Sequence, residues 1–97
     1  FDVVVSRAVA QTRILLEYTL PLCSVNGRTI LLKKGDMVGE MSEASVAVGE
    51  LGGKNMRTVD IPREILDGDR KLIVVDKCTK TPSKYPRRAG IPAKRPL

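Results

Sequence analysis

Phe1-Asp2-Val3-Val4-Val5-Ser6-Arg7-Ala8-Val9-Ala10 opens the chain and decides how the rest is read. Phe1 and Val3 to Val5 form an apolar run rich in β-branched side chains, which reads as a strand buried on both faces. Ser6 and Arg7 break that run with a hydroxyl and a charge, and a helical pattern follows almost at once. In open α/β sheets, ligands collect at the carboxyl ends of the strands. Arg7 is therefore either a ligand contact or a surface charge on a loop. Ser6 beside it is either a hydroxyl donor to a ligand or a cap on the strand-to-helix turn.

Working outward, the spacing predicts a helix from about Ala8 to Leu22. Ile14, Tyr18 and Leu22 form its apolar line, with Leu15 beside them, and Gln11, Thr12, Arg13 and Glu17 its wet side. Pro21 ends or bends the last turn. Thr29 to Leu32 is a second strand, ending in Lys33-Lys34-Gly35-Asp36. A second helix covers roughly Glu40 to Leu51, with Met41, Ala44, Val48 and Leu51 on one face. Gly52-Gly53 stops it. Asn55 to Ile61 is a third strand. Asp67-Gly68-Asp69 marks a turn. Leu72 to Val75, inside Arg70 to Cys78, is a fourth strand that pairs antiparallel with the third, since no helix lies between them. The order strand, helix, strand, helix, strand, strand suits the carboxyl half of a doubly wound α/β domain over residues 1–80. Residues 81–97 read as a basic, Pro-rich tail.

Composition narrows the chemistry. Hydrophobic residues make up 42% of the chain and aromatic residues only 3%, so the core must be aliphatic. The chain contains no His, which removes imidazole catalysis and most zinc sites from these residues. Cys23 and Cys78 stand in no metal spacing and read as two reduced thiols. No apolar run approaches 18 residues and no signal peptide is visible, so a soluble, cytoplasmic protein without metal or membrane is expected. The chain starts without Met and inside an apolar run, which reads as part of a longer protein.

The net charge of +6 is unevenly distributed. Residues 1–76 carry ten Lys and Arg against eleven acids, whereas residues 77–97 carry seven basic residues and no acid. The body is nearly neutral and the tail is a polycation, which points to a polyanionic partner. Lys84, Arg87, Arg88, Lys94 and Arg95 suit phosphates, and Tyr85 suits stacking on a base. The same composition also suits a tail that only keeps the chain soluble.

Four stretches carry a family resemblance over residues 1–97. They are the opening Phe1 to Ala10, Leu32-Lys33-Lys34-Gly35, the Leu51-Gly52-Gly53 helix stop, and Lys84-Tyr85-Pro86-Arg87-Arg88-Ala89-Gly90-Ile91-Pro92. In this order they resemble the bacterial 16S ribosomal RNA guanine-N7 methyltransferases, also called glucose-inhibited division protein B. Tyr-Pro-Arg-Arg-Ala-Gly-x-Pro is the most specific of the four. The resemblance implies the carboxyl half of a Rossmann-like class I methyltransferase fold. The absent amino half would hold the Gly-rich loop for S-adenosyl-L-methionine. It implies a cofactor-site role for Arg7, with Ser6 beside it, and a substrate-phosphate role for Lys34. The implied partner is small-subunit ribosomal RNA, and the implied activity belongs to the intact protein, with the fragment alone inactive. No catalytic acid or base is expected. Guanine N7 offers a lone pair without a proton, so alignment and desolvation suffice. The competing reading is a non-catalytic basic α/β module that only binds RNA.

Overall fold

Among the described residues, the β-branched and aliphatic runs become four strands: β1 (Val3–Arg7), β2 (Arg28–Lys34), β3 (Gly53–Asp60) and β4 (Arg70–Lys77). Three helices among the described residues lie between and after them, α1 (Thr12–Thr19), α2 (Val38–Glu50) and the short α3 (Ile91–Lys94). A 3₁₀ turn at Leu20–Leu22, with Pro21 inside it, extends α1. The computed structural model describes residues 1–7, 11–34, 38–62 and 70–97. The expected first helical turn at Ala8, the Gly35-Asp36 pair and the Asp67-Gly68-Asp69 turn lie outside the described residues.

The four strands form one mixed sheet in the order β1-β2-β4-β3. β1 and β2 are parallel, while β4 runs antiparallel to both β2 and β3. The expected antiparallel pairing of the last two strands is therefore present, with β4 inserted between β2 and β3. The result is a small α/β sheet of mixed direction.

Register sorts the side chains between two faces, because paired residues in neighbouring strands share a face. Leu31 pairs with Ile73, and Thr29 with Val75, so these residues point to the same side. There they meet Leu15, Leu16 and Leu20 from the α1 region and Ala44, Ala47, Val48 and Leu51 from the α2 region, forming the core. Each fully buried Leu contributes roughly 1.5–3 kcal/mol relative to exposure. Both long helices thus cover one face. The other face carries Val3, Val5, Ile30 and Leu32, and Val3 and Val5 remain 51% and 67% exposed. The expectation of a strand buried on both faces fails here. In β1 only the Val4 side packs on the core, since within this chain both helices lie on that side.

The face of α1 also differs from expectation. Tyr18 and Leu22 are exposed, while Thr12, Leu15, Leu16, Glu17 and Thr19 are buried. The helix is rotated so that two residues assigned to its wet side, Thr12 and Glu17, point inward, and each has a polar partner there. On α2 the expected face holds: Ala44, Val48 and Leu51 are buried and Met41 packs against them. Gly52 ends that helix with φ +85°, and a Cβ there would collide with the Thr79 carbonyl. Its own carbonyl accepts from the Cys78 and Thr79 amides at 2.8 and 3.1 Å, which fastens the end of α2 to the exit of β4.

Residues 81–97 are not extended by their prolines. Tyr85 and Leu97 pack against the core, Pro92 is buried, and α3 rests on α1.

Candidate functional site

The carboxyl ends of β1 and β2 lie side by side, because Arg7 pairs with Leu32 two residues before Lys34. Period-two alternation puts Arg7, Leu32 and Lys34 on the uncovered face, and Arg70 joins them as the partner of Lys34. Arg7 and Lys34 are exposed. Three cations therefore gather at one edge of that face. Arg7 and Lys34 were legible from the sequence; Arg70 was not, because its place depends on β4 returning beside β2. The Ser6 hydroxyl donates to the Arg7 carbonyl at 3.1 Å, which is a local contact of the strand end.

Lys33 faces the opposite way and is committed to the scaffold. Its ammonium pairs with the Glu40 carboxylate on α2. The same Glu40 oxygen accepts from the Thr12 amide at 2.5 Å and the Thr12 hydroxyl at 2.7 Å. One carboxylate thus ties the end of β2 to the first turn of α1, where negative charge also suits the exposed amides of a helix start. Burial alone would raise the Glu40 carboxyl. The hydrogen bonds from Lys33 and Thr12 outweigh it and hold the group below the usual glutamate range. Of the Lys33-Lys34 pair, Lys34 is the one left facing outward. Its neighbours Gly35 and Asp36 lie outside the described residues.

The C-terminal segment is anchored by a second carboxylate. Glu17 is fully buried and takes a fork from Arg87, with Nη2 at 2.7 Å from Oε1 and Nε at 3.0 Å from Oε2. The Arg87 backbone amide adds a third bond to Oε2 at 2.8 Å. Arg87 Nη2 also donates to the Arg95 carbonyl at 2.7 Å, closing the segment on itself. Burial works against the ionised Glu17, but the hydrogen bonds and charge of Arg87 prevail, so its carboxyl lies below the usual range. The Arg87 guanidinium is held correspondingly firmly in its charged form by the same contact.

The other expected contacts of this segment divide by exposure. Lys84, Arg88, Lys94 and Arg95 have exposed side chains, and the Lys84 ammonium sits 5.3 Å from the centre of the Tyr85 ring. Tyr85 is half-buried and its hydroxyl donates to Glu50 at 3.2 Å. The structure therefore separates Arg87, engaged with Glu17, from the cations around it. Glu17 was missed as a site residue. The only sign of it in the sequence is an acid directly beside Leu15 and Leu16.

Among the described residues, no group of His, Cys, Asp and Glu side chains could hold a metal ion. No helix among them is long and apolar enough to cross a membrane. Cys23 and Cys78 are free thiols.

No protein-family model matches the chain. Individual proteins do. It is 47% identical over 97 residues to the ribosomal RNA small subunit methyltransferase G of Dehalococcoides mccartyi strain CBDB1, covering all of this chain and 41% of that protein. Identity is 48% over 99 residues to the protein of that name from Exiguobacterium sp. strain AT1b, again across all of this chain and 41% of the relative. It is 40% over 97 residues to the one from Brevibacillus brevis, with the same coverage. The chain spans about two fifths of the length of these relatives.

Proposed function

The chain belongs to the family of the ribosomal RNA small subunit methyltransferase G proteins, and from that premise we propose that the full-length protein carrying it methylates N7 of a guanine in small-subunit (16S) ribosomal RNA. Residues 1–80 form the carboxyl half of a doubly wound, Rossmann-like methyltransferase domain in this reading, and residues 81–97 its basic extension. The parallel β1–β2 pair joined through α1 is the part of the fold that supports it. The observation that carries the proposal is the likeness along all 97 residues.

S-adenosyl-L-methionine, when bound, supplies an electrophilic methyl group. Arg7 fits such a group. Its side chain is exposed at the carboxyl end of β1, no ion pair among the described residues occupies it, and a planar guanidinium can fork onto a carboxylate. Ser6 supports the Arg7 backbone through its hydrogen bond to the carbonyl. The substrate nitrogen carries a lone pair and no proton, so the transfer leaves no proton to remove. The residues of this chain then act by binding and orienting the two reactants and by keeping water away from them. Lys34 meets substrate phosphate at the same edge.

Lys84, Arg88, Lys94 and Arg95 bind the RNA backbone, with Tyr85 beside them, while Arg87 holds the segment that displays them. Their exposure and the lack of any acid after Asp76 support this division. The setting is the cytoplasm. Since the Gly-rich and ribose-binding loops of such domains come from the first half, residues 1–97 alone are expected neither to bind the cofactor nor to turn over.

The test is methyl transfer from labelled S-adenosyl-L-methionine to unmethylated small-subunit ribosomal RNA by the full-length protein. Recovery of 7-methylguanosine at a single position is expected. RNA binding without any methyl transfer would replace the proposal with that of a non-catalytic RNA-binding module.

A further inference from the structure

A cleft of about 310 Å³ opens at the other end of the sheet, lined in part by Cys23, Ser24, Lys77, Lys80, Thr81 and Tyr85. Ser24 bonds the Phe1 carbonyl through its amide at 2.7 Å, so the cleft lies beside the amino ends of β1 and β2. Arg7 closes β1 at the opposite end, on the order of 15 Å away by the rise of a strand.

Lys77 is the unusual member. It is only 3% exposed, yet no acid pairs with it among the described residues. Its Nζ donates to the Leu20 carbonyl at 2.6 Å and to the Thr81 hydroxyl at 2.5 Å. Both acceptors are neutral, and an ammonium has three donors. A buried charge without a counter-charge is costly, and burial pushes the Lys77 ammonium toward losing its proton. Cys23 does not supply the missing charge. Burial pushes its thiol up, against the pull of Lys77, and keeps it neutral. Among the described residues, the cleft lining holds a second cation, the exposed Lys80, and no Asp or Glu.

We propose that this cleft binds a phosphate group, which completes the partnership of Lys77 with Lys80 as the second charge. Two ammonium groups and a serine hydroxyl, without a planar guanidinium, suit a tetrahedral oxyanion that accepts from several directions. The group shared by inorganic phosphate and by the backbone of an RNA strand is the ligand. The proposal does not depend on methyl transfer, so it stands or falls separately from the enzymatic reading.

The experiment titrates the isotopically labelled full-length protein with inorganic phosphate, and separately with a short single-stranded RNA, while following backbone amide shifts. Saturable shifts are expected at Cys23–Val25 and Lys77–Thr81 with phosphate, and Lys80→Met should weaken binding about three- to tenfold. Lys77→Met should abolish it; should that variant not fold, Lys80→Met alone decides. If RNA produces the same shifts and competes with phosphate, the group comes from an RNA backbone. If RNA leaves them unchanged, the cleft takes a free phosphate. Both results support the site and identify its source. Absence of saturable shifts in the cleft, or an affinity within twofold of wild type in Lys80→Met, overturns it.

Discussion

Glu40 and Glu17 each lock one region of the molecule, and they do so differently. Glu40 retains 22% side-chain exposure and draws on partners from the neighbouring β2 and α1. Glu17 has no exposure at all and is met by Arg87, 70 residues further along. A partly wetted carboxylate tolerates a lysine and a helix start as partners. A fully desolvated one needs a fork of donors with matched geometry. At the first region the neighbouring Arg7 and Lys34 stay exposed. At the second, one cation of the basic segment is consumed to hold the others in place.

Breaking the second lock should have the largest effect. Arg87→Ala strands Glu17, and a buried carboxylate left without its partner costs about 3–5 kcal/mol. Chemical denaturation of the full-length protein should report the loss, and a change below 1 kcal/mol would mean that Glu17 is less dry than described. The pH dependence follows from the same pair. Both carboxyls titrate below the ordinary glutamate value of about 4.3. A native value lowered in this way gives stability that is complete at neutral pH and drains as pH falls below the ordinary value. Glu17→Gln should therefore be less stable at pH 7 and lose less on acidification, as circular dichroism can follow.

Next comes the site that the first lock leaves open. Arg7→Ala should weaken cofactor affinity about ten- to a hundredfold in calorimetry, the worth of a charge-assisted pair. If RNA affinity falls instead, the arginine faces the substrate. Glu40→Ala removes the acceptor of the buried Thr12 amide and hydroxyl and one partner of Lys33, and should cost about 1–3 kcal/mol. A loss as large as that of Arg87→Ala would erase the contrast between the two locks. The smallest effect sharpens it. Arg88→Ala should leave thermal stability unchanged and flatten the salt dependence of RNA binding by about 0.7 in log–log slope. An unchanged slope would remove Arg88 from the RNA contact.

These regions also differ in how far the sequence reveals them. β1 to β4 announce themselves through Val, Ile and Leu runs, and α2 through its spaced Ala44, Val48 and Leu51. The division of labour between Lys33 and Lys34 follows from strand alternation, once Leu31 is known to face the core. The buried face of α1 is not legible, because Glu17 and Thr12 read as wet and are buried. Only the adjacent Leu15 and Leu16 hint that Glu17 is buried, and its partner sits in a stretch that reads as a basic, Pro-rich tail. Local patterns reveal local partners. A polar group neutralised across most of the chain leaves no periodic trace.

The insertion of β4 between β2 and β3 has a consequence for how the chain acquires its shape. β3 touches the sheet only through β4, so it has nothing to join until residues 70–77 are available. During synthesis, α1 and α2 emerge before β4, so the edge of β2 that β4 will occupy stays unpaired until residues 70–77 arrive. Closure waits for the latest strand, and the Glu17 side chain stays in water until Arg87 arrives ten residues after that. Non-local pairing of this kind slows folding, and a chain halted before Arg70 should be cleaved readily in β3 by added protease. β3 and the Glu17 carboxylate thus stay assailable until β4 and Arg87 have left the ribosome, the particle whose RNA the chain's relatives are named for.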